Sequence, residues 1–464
     1  QSCGYAGETQ LHRFRQILHQ HLDKRADATL NLLDALSSNT NATSVVELSL
    51  SPHFERGHDS VYAALRDFSL SVEGYGEALR AALSPADVAP FRHVSLDVTS
   101  QPRPYARTLS DRTMVYQPTV VRGNKPVTIG HSYSHLVLHP PREPDDPPWV
   151  VPLAVRRVQS EENAQQVGLE QLRALLPELP DLQGVTLCTA DTAYSQPEFL
   201  LALAEMEDVV GLIRLRSNRV LYRPYHHPPG EPRPRGHPRW YGERMKLNDR
   251  STWLTPDREW QIPAQTHHGQ ERILRIRVWS EMLMRGKKGY PMHQHPFTLL
   301  CYELLRPDGT AVYRHPVWLL LFGKRRHEVF PPDGVHGYFR RFDIEHFFRF
   351  CKRRLLMTRF QTPDTRTEEK WPALVQLAYL QLWLARNLAQ GCWHPWQRHR
   401  TTQPKRRSTW SPSQVQRDSS RIIGQLGTPV RSPKRRGKSP GWRRGSKRRA
   451  RLRRKVVKKT QKAV

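Results

Sequence analysis

Leu11, Phe14, Ile17, Leu18 and Leu22 recur at spacings of three and four, and Ala28, Leu32, Leu33, Ala35 and Leu36 resume the pattern after a short gap. That period predicts two amphipathic helices, closed by a polar loop at 37–43, with short helices following over 62–68 and 75–83. From His93 the period changes to two. His93-Val-Ser-Leu-Asp97-Val98 alternates as a strand does, between Pro90 and the breaker cluster Ser100-Gln-Pro-Arg-Pro104. Further strands are predicted at 119–121, 149–155, 184–190 and 209–215, with a helix over 161–176. Asp191 stands just past the 184–190 strand, and Ser195-x-x-Glu198 has the form of a capping box opening a helix through Leu203.

Between residues 218 and 297 prolines, histidines, Arg and Trp dominate, and Arg272-Ile-Leu-Arg-Ile-Arg-Val-Trp279 alternates like a strand with a basic face. The histidines there (His226, His227, His267, His268, His293, His295) share no zinc-site spacing. Strands at 297–305 and 312–322 return the chain to a core, and an apolar helix is predicted over 371–388. Past Trp396 the chain turns to Pro, Ser, Arg and Lys with few apolar residues, a composition expected to stay disordered without a partner.

One stretch combines helical periodicity with reactive side chains. Tyr338 to Lys352 contains no helix breaker, and Pro331, Pro332 and Gly334 punctuate just before it. On a helical wheel Tyr338, Arg341, Glu345 and Lys352 fall at roughly 0°, 300°, 340° and 320°, within about 60° of one another. Phe347, Phe350 and Cys351 point elsewhere and suit a core. A carboxylate flanked by Arg, Lys and Tyr is costly inside a core and suits a metal ion against a phosphate backbone. By geometry alone, a surface helix with ordinary ion pairs stays equally open.

Charge narrows the choice. The net charge is +30, and 24 of the 73 Lys and Arg residues lie from Arg398 onward against one acid, Asp418. So concentrated a tail points to a polyanion, nucleic acid above all. The five cysteines are scattered without a C-x2-C pair, which fits a reducing compartment. No apolar run is long enough to span a bilayer, no secretory signal is present, and a Gly-rich phosphate loop is missing. The first residue is Gln1, which leaves the true N-terminus open.

The spacing Tyr-x2-Arg-x3-Glu-x6-Lys resembles the motif of DDE transposases of bacterial insertion sequences, and all four positions match. The resemblance implies an α/β chain with an RNase H-like catalytic domain over 91–396 carrying a β-rich insertion at about 218–297. A small helical domain at 1–90, possessing no clear helix-turn-helix and serving either end recognition or plain packing, would precede it, and a disordered basic tail at 397–464 would follow. Asp97 on the first strand, Asp191 after the fourth and Glu345 on a late helix occupy the slots of the three catalytic, metal-binding carboxylates. Two Mg²⁺ (or Mn²⁺) ions are then expected. Tyr338, Arg341 and Lys352 would contact transposon-end DNA. Trp318 would stack on a flipped base, although its apolar neighbours Val317 and Leu319–Leu321 favour a core. The implied activity is metal-dependent cleavage of transposon ends and strand transfer by 3′-hydroxyl attack on double-stranded target DNA. The implied setting is a homodimer in a bacterial, nucleoid-associated cytoplasmic complex, without a membrane. A catalytically silent, domesticated DNA-binding protein is the alternative, and it would be expected to have lost one of the three acids.

Overall fold

A computed structural model describes residues 2–84, 91–117, 126–143, 145–180, 184–227, 230, 236–266, 269–390, 409–434, 441, 443–447 and 450–458. In chain order the elements are α1 (Ser2–His21), α2 (Ala26–Ser37), α3 (His58–Asp67), α4 (Val72–Ala82), β1 (Arg92–Pro102), β2 (Thr113–Tyr116), β3 (Val127–Leu138), β4 (Val151–Val158), α5 (Ala164–Leu175), β5 (Thr186–Ala190), α6 (Pro197–Ala204) and β6 (Val209–Leu215). Then follow β7 (Val220–Pro224), β8 (Tyr241–Lys246), β9 (Arg258–Gln265), β10 (Glu271–Met284), β11 (Phe297–Leu305), β12 (Val317–Phe322), α7 (Pro331–Arg340), α8 (Asp343–Arg353), α9 (Thr365–Ala385) and α10 (Pro412–Leu426). The protein is therefore mixed α/β, and among the described residues no helix is long and apolar enough to cross a membrane.

Several boundaries differ from the sequence pattern, each for a local reason. β1 runs through the breaker cluster to Pro102, because Thr99 and Gln101 continue its buried face. The expected capping box at Ser195 does not form. Its hydroxyl donates to Thr192 O (2.8 Å), and α6 opens instead with Pro197 behind Gln196. β12 starts at Val317, just after Pro316, which has no N–H for a ladder. α9 starts six residues early, where Asp364 accepts from Thr367 N–H (2.9 Å) as its N-cap. The strand expected at 119–121 lies outside the described residues, as do His267, His268 and Trp396.

The single helix expected over 338–352 is two helices. Arg341 N–H donates to Tyr338 O (3.2 Å) and Phe342 N–H to Phe339 O (3.3 Å), a tight turn that closes α7 before α8 opens at Asp343. One wheel carried through both halves therefore does not describe the stripe. The tail is also not wholly disordered. α10 has a full capping box, in which Ser411 and Gln414 satisfy each other's ends, and it buries Val415, Ile422 and Ile423.

The chain divides into two compact units. One comprises 1–87, 98–181 and 343–464, and the other 88–97 and 182–342. The first unit clusters the N-terminal helices with β2–β4 and α8–α10 rather than leaving them a separate domain. α9 supplies much of its core, and Gln381 of that helix donates to Asp34 Oδ1 (2.8 Å) beside the buried Arg15–Asp34 ion pair. Glu368, fully buried, pairs with Arg103 (3.3 Å) and shares a hydrogen bond with His131 Nδ1 (3.1 Å).

In the second unit β1, β5 and β6 are parallel, and β12, β11 and β10 continue antiparallel. β9 pairs with one stretch of β10, and β7, which also pairs with β8, joins its far end. This makes the 218–297 region β-rich. The core gathers Leu187, Leu212, Ile276, Leu300, Leu319, Val335 and Tyr338. α7 lies close over this sheet because Gly337 has no side chain. A Cβ there would stand 2.9 Å from Leu187 Cδ2.

Candidate active site

The site is built from strand register. β1 and β5 pair in parallel with Arg92 opposite Thr186 and Ser95 opposite Thr189. Carried two residues further, this register sets Asp97 level with Asp191, on strands about 4.8 Å apart. The period of two puts Asp97 on the face of Ser95 and His93, and Asp191 on the face of Thr189 and Leu187. α7 covers that face, as Gly337 against Leu187 and His93 shows. Below the acids, Thr189 Oγ bonds with Ser95 Oγ (2.5 Å) and His93 Nε2 (3.1 Å). Burial, aided by the charge of Arg340, holds the His93 pKa well below the usual imidazole range, so this support is neutral. Asp191 also caps the turn Thr192–Tyr194, accepting from Ala193 N–H (2.9 Å), which fixes its carboxylate at the end of β5.

Arg341 and Tyr338 stand on the same side and differ from expectation. Arg341 is only 7 % exposed, and its Nη1 lies 3.5 Å from Asp97 Oδ2. Its guanidinium also sits over the rings of Phe342 (4.9 Å) and Tyr338 (5.5 Å). Tyr338 is 1 % exposed and belongs to the core; burial raises its pKa, opposed by the charges of Arg341 and Arg214. A direct reach to a DNA phosphate, expected for both residues, does not suit their burial. Arg341 instead counters the charge of Asp97. Trp318 is corrected likewise. It is 1 % exposed, edge-on to Trp253 (4.9 Å) and tilted against Trp279 (5.6 Å), so no face is open to a flipped base.

Arg214 is the residue the sequence reading missed. Ala190 pairs with Ile213, so Arg214 extends the row of Asp97 and Asp191 onto β6, and it is exposed. The signal was present, since one Arg interrupts the apolar run Val209-Val-Gly-Leu-Ile-Arg-Leu215.

Glu345 and Lys352 belong to the other unit, on α8. Glu345 is exposed in the first turn, where a helix N-terminus favours a carboxylate. Lys352 is half-buried with Nζ 6.0 Å from the Phe348 ring. Phe347 and Phe350 anchor the helix, with Phe347 edge-on to Tyr379 (4.8 Å) and His135 (5.9 Å).

Carboxylate oxygens set in one row suit a hard divalent cation such as Mg²⁺ or Mn²⁺ rather than zinc or copper. Among the described residues, however, no group of three His, Cys, Asp or Glu is already gathered as a metal cluster. Aspartates level with each other on adjacent parallel strands, Asp97 within β1 and Asp191 just past β5, in a mixed α/β chain of strong positive charge, fit the class of metal-dependent carboxylate nucleases. The DDE superfamily endonuclease family model matches residues 13–281, more than half of the chain, and the protein belongs to that family. The match includes Asp97 and Asp191 and ends before the Tyr338–Lys352 stretch. DDE-type endonucleases generally use divalent metal ions, and DNA is the substrate that the family implies. No curated protein matches the chain.

Proposed function

We propose that the protein is a DDE transposase that cuts transposon ends and joins them to target DNA. The observation that carries this reading is the shared level of Asp97 and Asp191 on parallel β1 and β5. The pairings β4–β3 and β3–β1 in one unit, and β1–β5–β6 in the other, agree with an RNase H-like sheet. The Tyr338, Arg341, Glu345 and Lys352 spacing supports the insertion-sequence group, and β7–β10 then form its insertion.

Asp97, Asp191 and Glu345 would hold the divalent ions, Mg²⁺ or Mn²⁺. Bound there, two such ions lower the pKa of the attacking hydroxyl and neutralise phosphoryl charge. The chain's own residues do the rest. Asp191 is oriented by the Ala193 amide, and Asp97 is paired with Arg341. Arg214 and Lys352 offer cations to the DNA backbone. In the first step a water oxygen bonds to phosphorus and the 3′ oxygen of the transposon end leaves as a hydroxyl. In the second, that 3′-hydroxyl bonds to a target phosphorus and a target 3′ oxygen leaves. Neither step needs ATP or a covalent protein–DNA bond. The N-terminal helices would serve end recognition, and a homodimer would hold both ends.

A silent, domesticated DNA-binding protein is less well supported, because none of the three acids is missing. The deciding experiment uses the full chain, Mg²⁺ and a plasmid carrying the terminal repeats that flank the coding DNA. Cleavage at the repeats with 3′-hydroxyl ends, followed by joining to a second plasmid, is expected. Cleavage without joining would make it a plain nuclease, and binding without either would favour the silent alternative.

A further inference from the structure

The first unit contains a cationic cavity that the cleavage chemistry does not use. It has a volume of about 400 Å³ and lies between α8 and the start of α10. His346, Arg349 and Arg353 of α8 line it, with Arg354, and the N-terminal residues Ser411 to Ser413 of α10 close it. Arg349, Arg353 and Arg354 make no ion pair with any described carboxylate, and no acid is among the described lining residues.

Such a cavity carries a positive potential. Three guanidinium groups repel one another, and the N-terminus of a fifteen-residue helix adds partial positive charge. An anion with several acceptor oxygens would relieve the repulsion, and planar guanidiniums match phosphate oxygens in pairs.

We propose that this cavity seats backbone phosphates of the DNA strand running away from the reacting phosphate, and that α10 completes the seat. The assignment rests on the transposase reading of Glu345. Arg349 and Arg353 follow Glu345 by four and eight residues on one helix, about 6 and 12 Å along its axis. A strand gripped near Glu345 and lying along α8 reaches them in order. The first part of the tail is then a structural wall of a DNA site, in addition to the electrostatics of the basic residues beyond it.

The test uses the full chain without divalent metal and a duplex carrying one terminal repeat. In the double variant Arg353→Gln, Arg354→Gln the log–log salt slope should flatten by about 1 to 2, at about 0.9 per lost phosphate contact. Scanning the duplex with single methylphosphonates should reveal one or two positions that weaken wild-type binding several-fold and leave the double variant unaffected. Arg13→Gln, an exposed change on α1, should leave the scan unchanged. Ser413→Glu adds a charge that a helix N-terminus favours, so it should fold normally yet weaken binding at the same positions. An unchanged slope and scan in both variants would overturn the proposal. So would loss of inhibition by inorganic phosphate with DNA binding intact, which would mark a free-anion site. Failure of the catalytic reading would show separately, as normal cleavage by Glu345→Gln.

Discussion

Arg341 and Asp97 form the ion pair on which the geometry of the first carboxylate depends. With Arg341 7 % and Asp97 21 % exposed, removing the cation takes its charge away from a largely desolvated carboxylate. Arg341→Ala should cost about 2–3 kcal/mol in urea unfolding, discounted for the exposure of Asp97. Arg341→Ala and Asp97→Asn together should cost less than the sum, with a coupling of about 1–3 kcal/mol; strict additivity would show that the pair does not hold the site. His135 gives a second residue-level expectation. Burial pushes its pKa down to about 3, and its Nδ1 bonds with the Gln376 amide (3.2 Å). Since the unfolded chain titrates near about 6.5, the unfolded state binds more protons between these values, so stability falls as pH drops from about 6.5 toward 3. His135→Gln should remove up to about 2 kcal/mol of the loss between pH 7 and pH 5 in thermal melts; an unaltered pH profile would contradict a neutral buried His135. Asp191 was readable in the sequence because an acid directly after an apolar run marks a strand end, and Asp97 because it stands in the short alternating run from His93. The partner of Asp97 was not, since burial of Arg341 depends on a turn that no wheel encodes. Trp318 was readable in one sense only, as its apolar neighbours announced the core in which it sits.

At the level of elements, alternation marked β1 and β10, and apolar runs marked β5, β6 and β11, although β1 and β10 both continue past the pattern. The break between α7 and α8 escaped because neither Arg341 nor Phe342 is a helix breaker; the turn is imposed by what those side chains touch. α10 escaped for the opposite reason. Its apolar residues, Val415, Ile422 and Ile423, are few and set in a run of polar and basic neighbours, so composition hid them. Gln416 donates to Leu36 O (3.3 Å) and Arg354 O (3.4 Å), and Asp418 accepts from Gln390 N–H (2.8 Å). A chain ending at 396 should therefore lose about 4.5–6 kcal/mol, from three buried aliphatic side chains at roughly 1.5–2 kcal/mol each. A chain ending at 434 keeps α10 and should melt within a few degrees of the full chain, which calorimetry on the two truncations would check. Equal melting of both would mean that α10 contributes nothing to the fold.

Over the whole molecule, the proposed function gives the surplus of positive charge and the paired carboxylates separate jobs. In it the charge of the tail beyond α10 steers and holds DNA without reading it, so the chain ending at 434 should bind repeat and random duplexes more weakly, with a shallower salt slope and undiminished discrimination. Loss of discrimination would mean that the tail reads sequence. In the proposed function the carboxylates carry the chemistry, and one measurement tests that most directly. Asp97→Asn, Asp191→Asn and Glu345→Gln are each assayed for Mg²⁺-dependent nicking of a terminal-repeat duplex, with binding and melting temperature followed in parallel. We expect nicking to fall by at least about a thousandfold in each variant, the loss of roughly 4 kcal/mol of transition-state stabilisation, while binding and folding persist. Normal nicking by any one of them would remove that residue from the active site, and normal nicking by both aspartate variants would contradict the catalytic role of the β1–β5 pair.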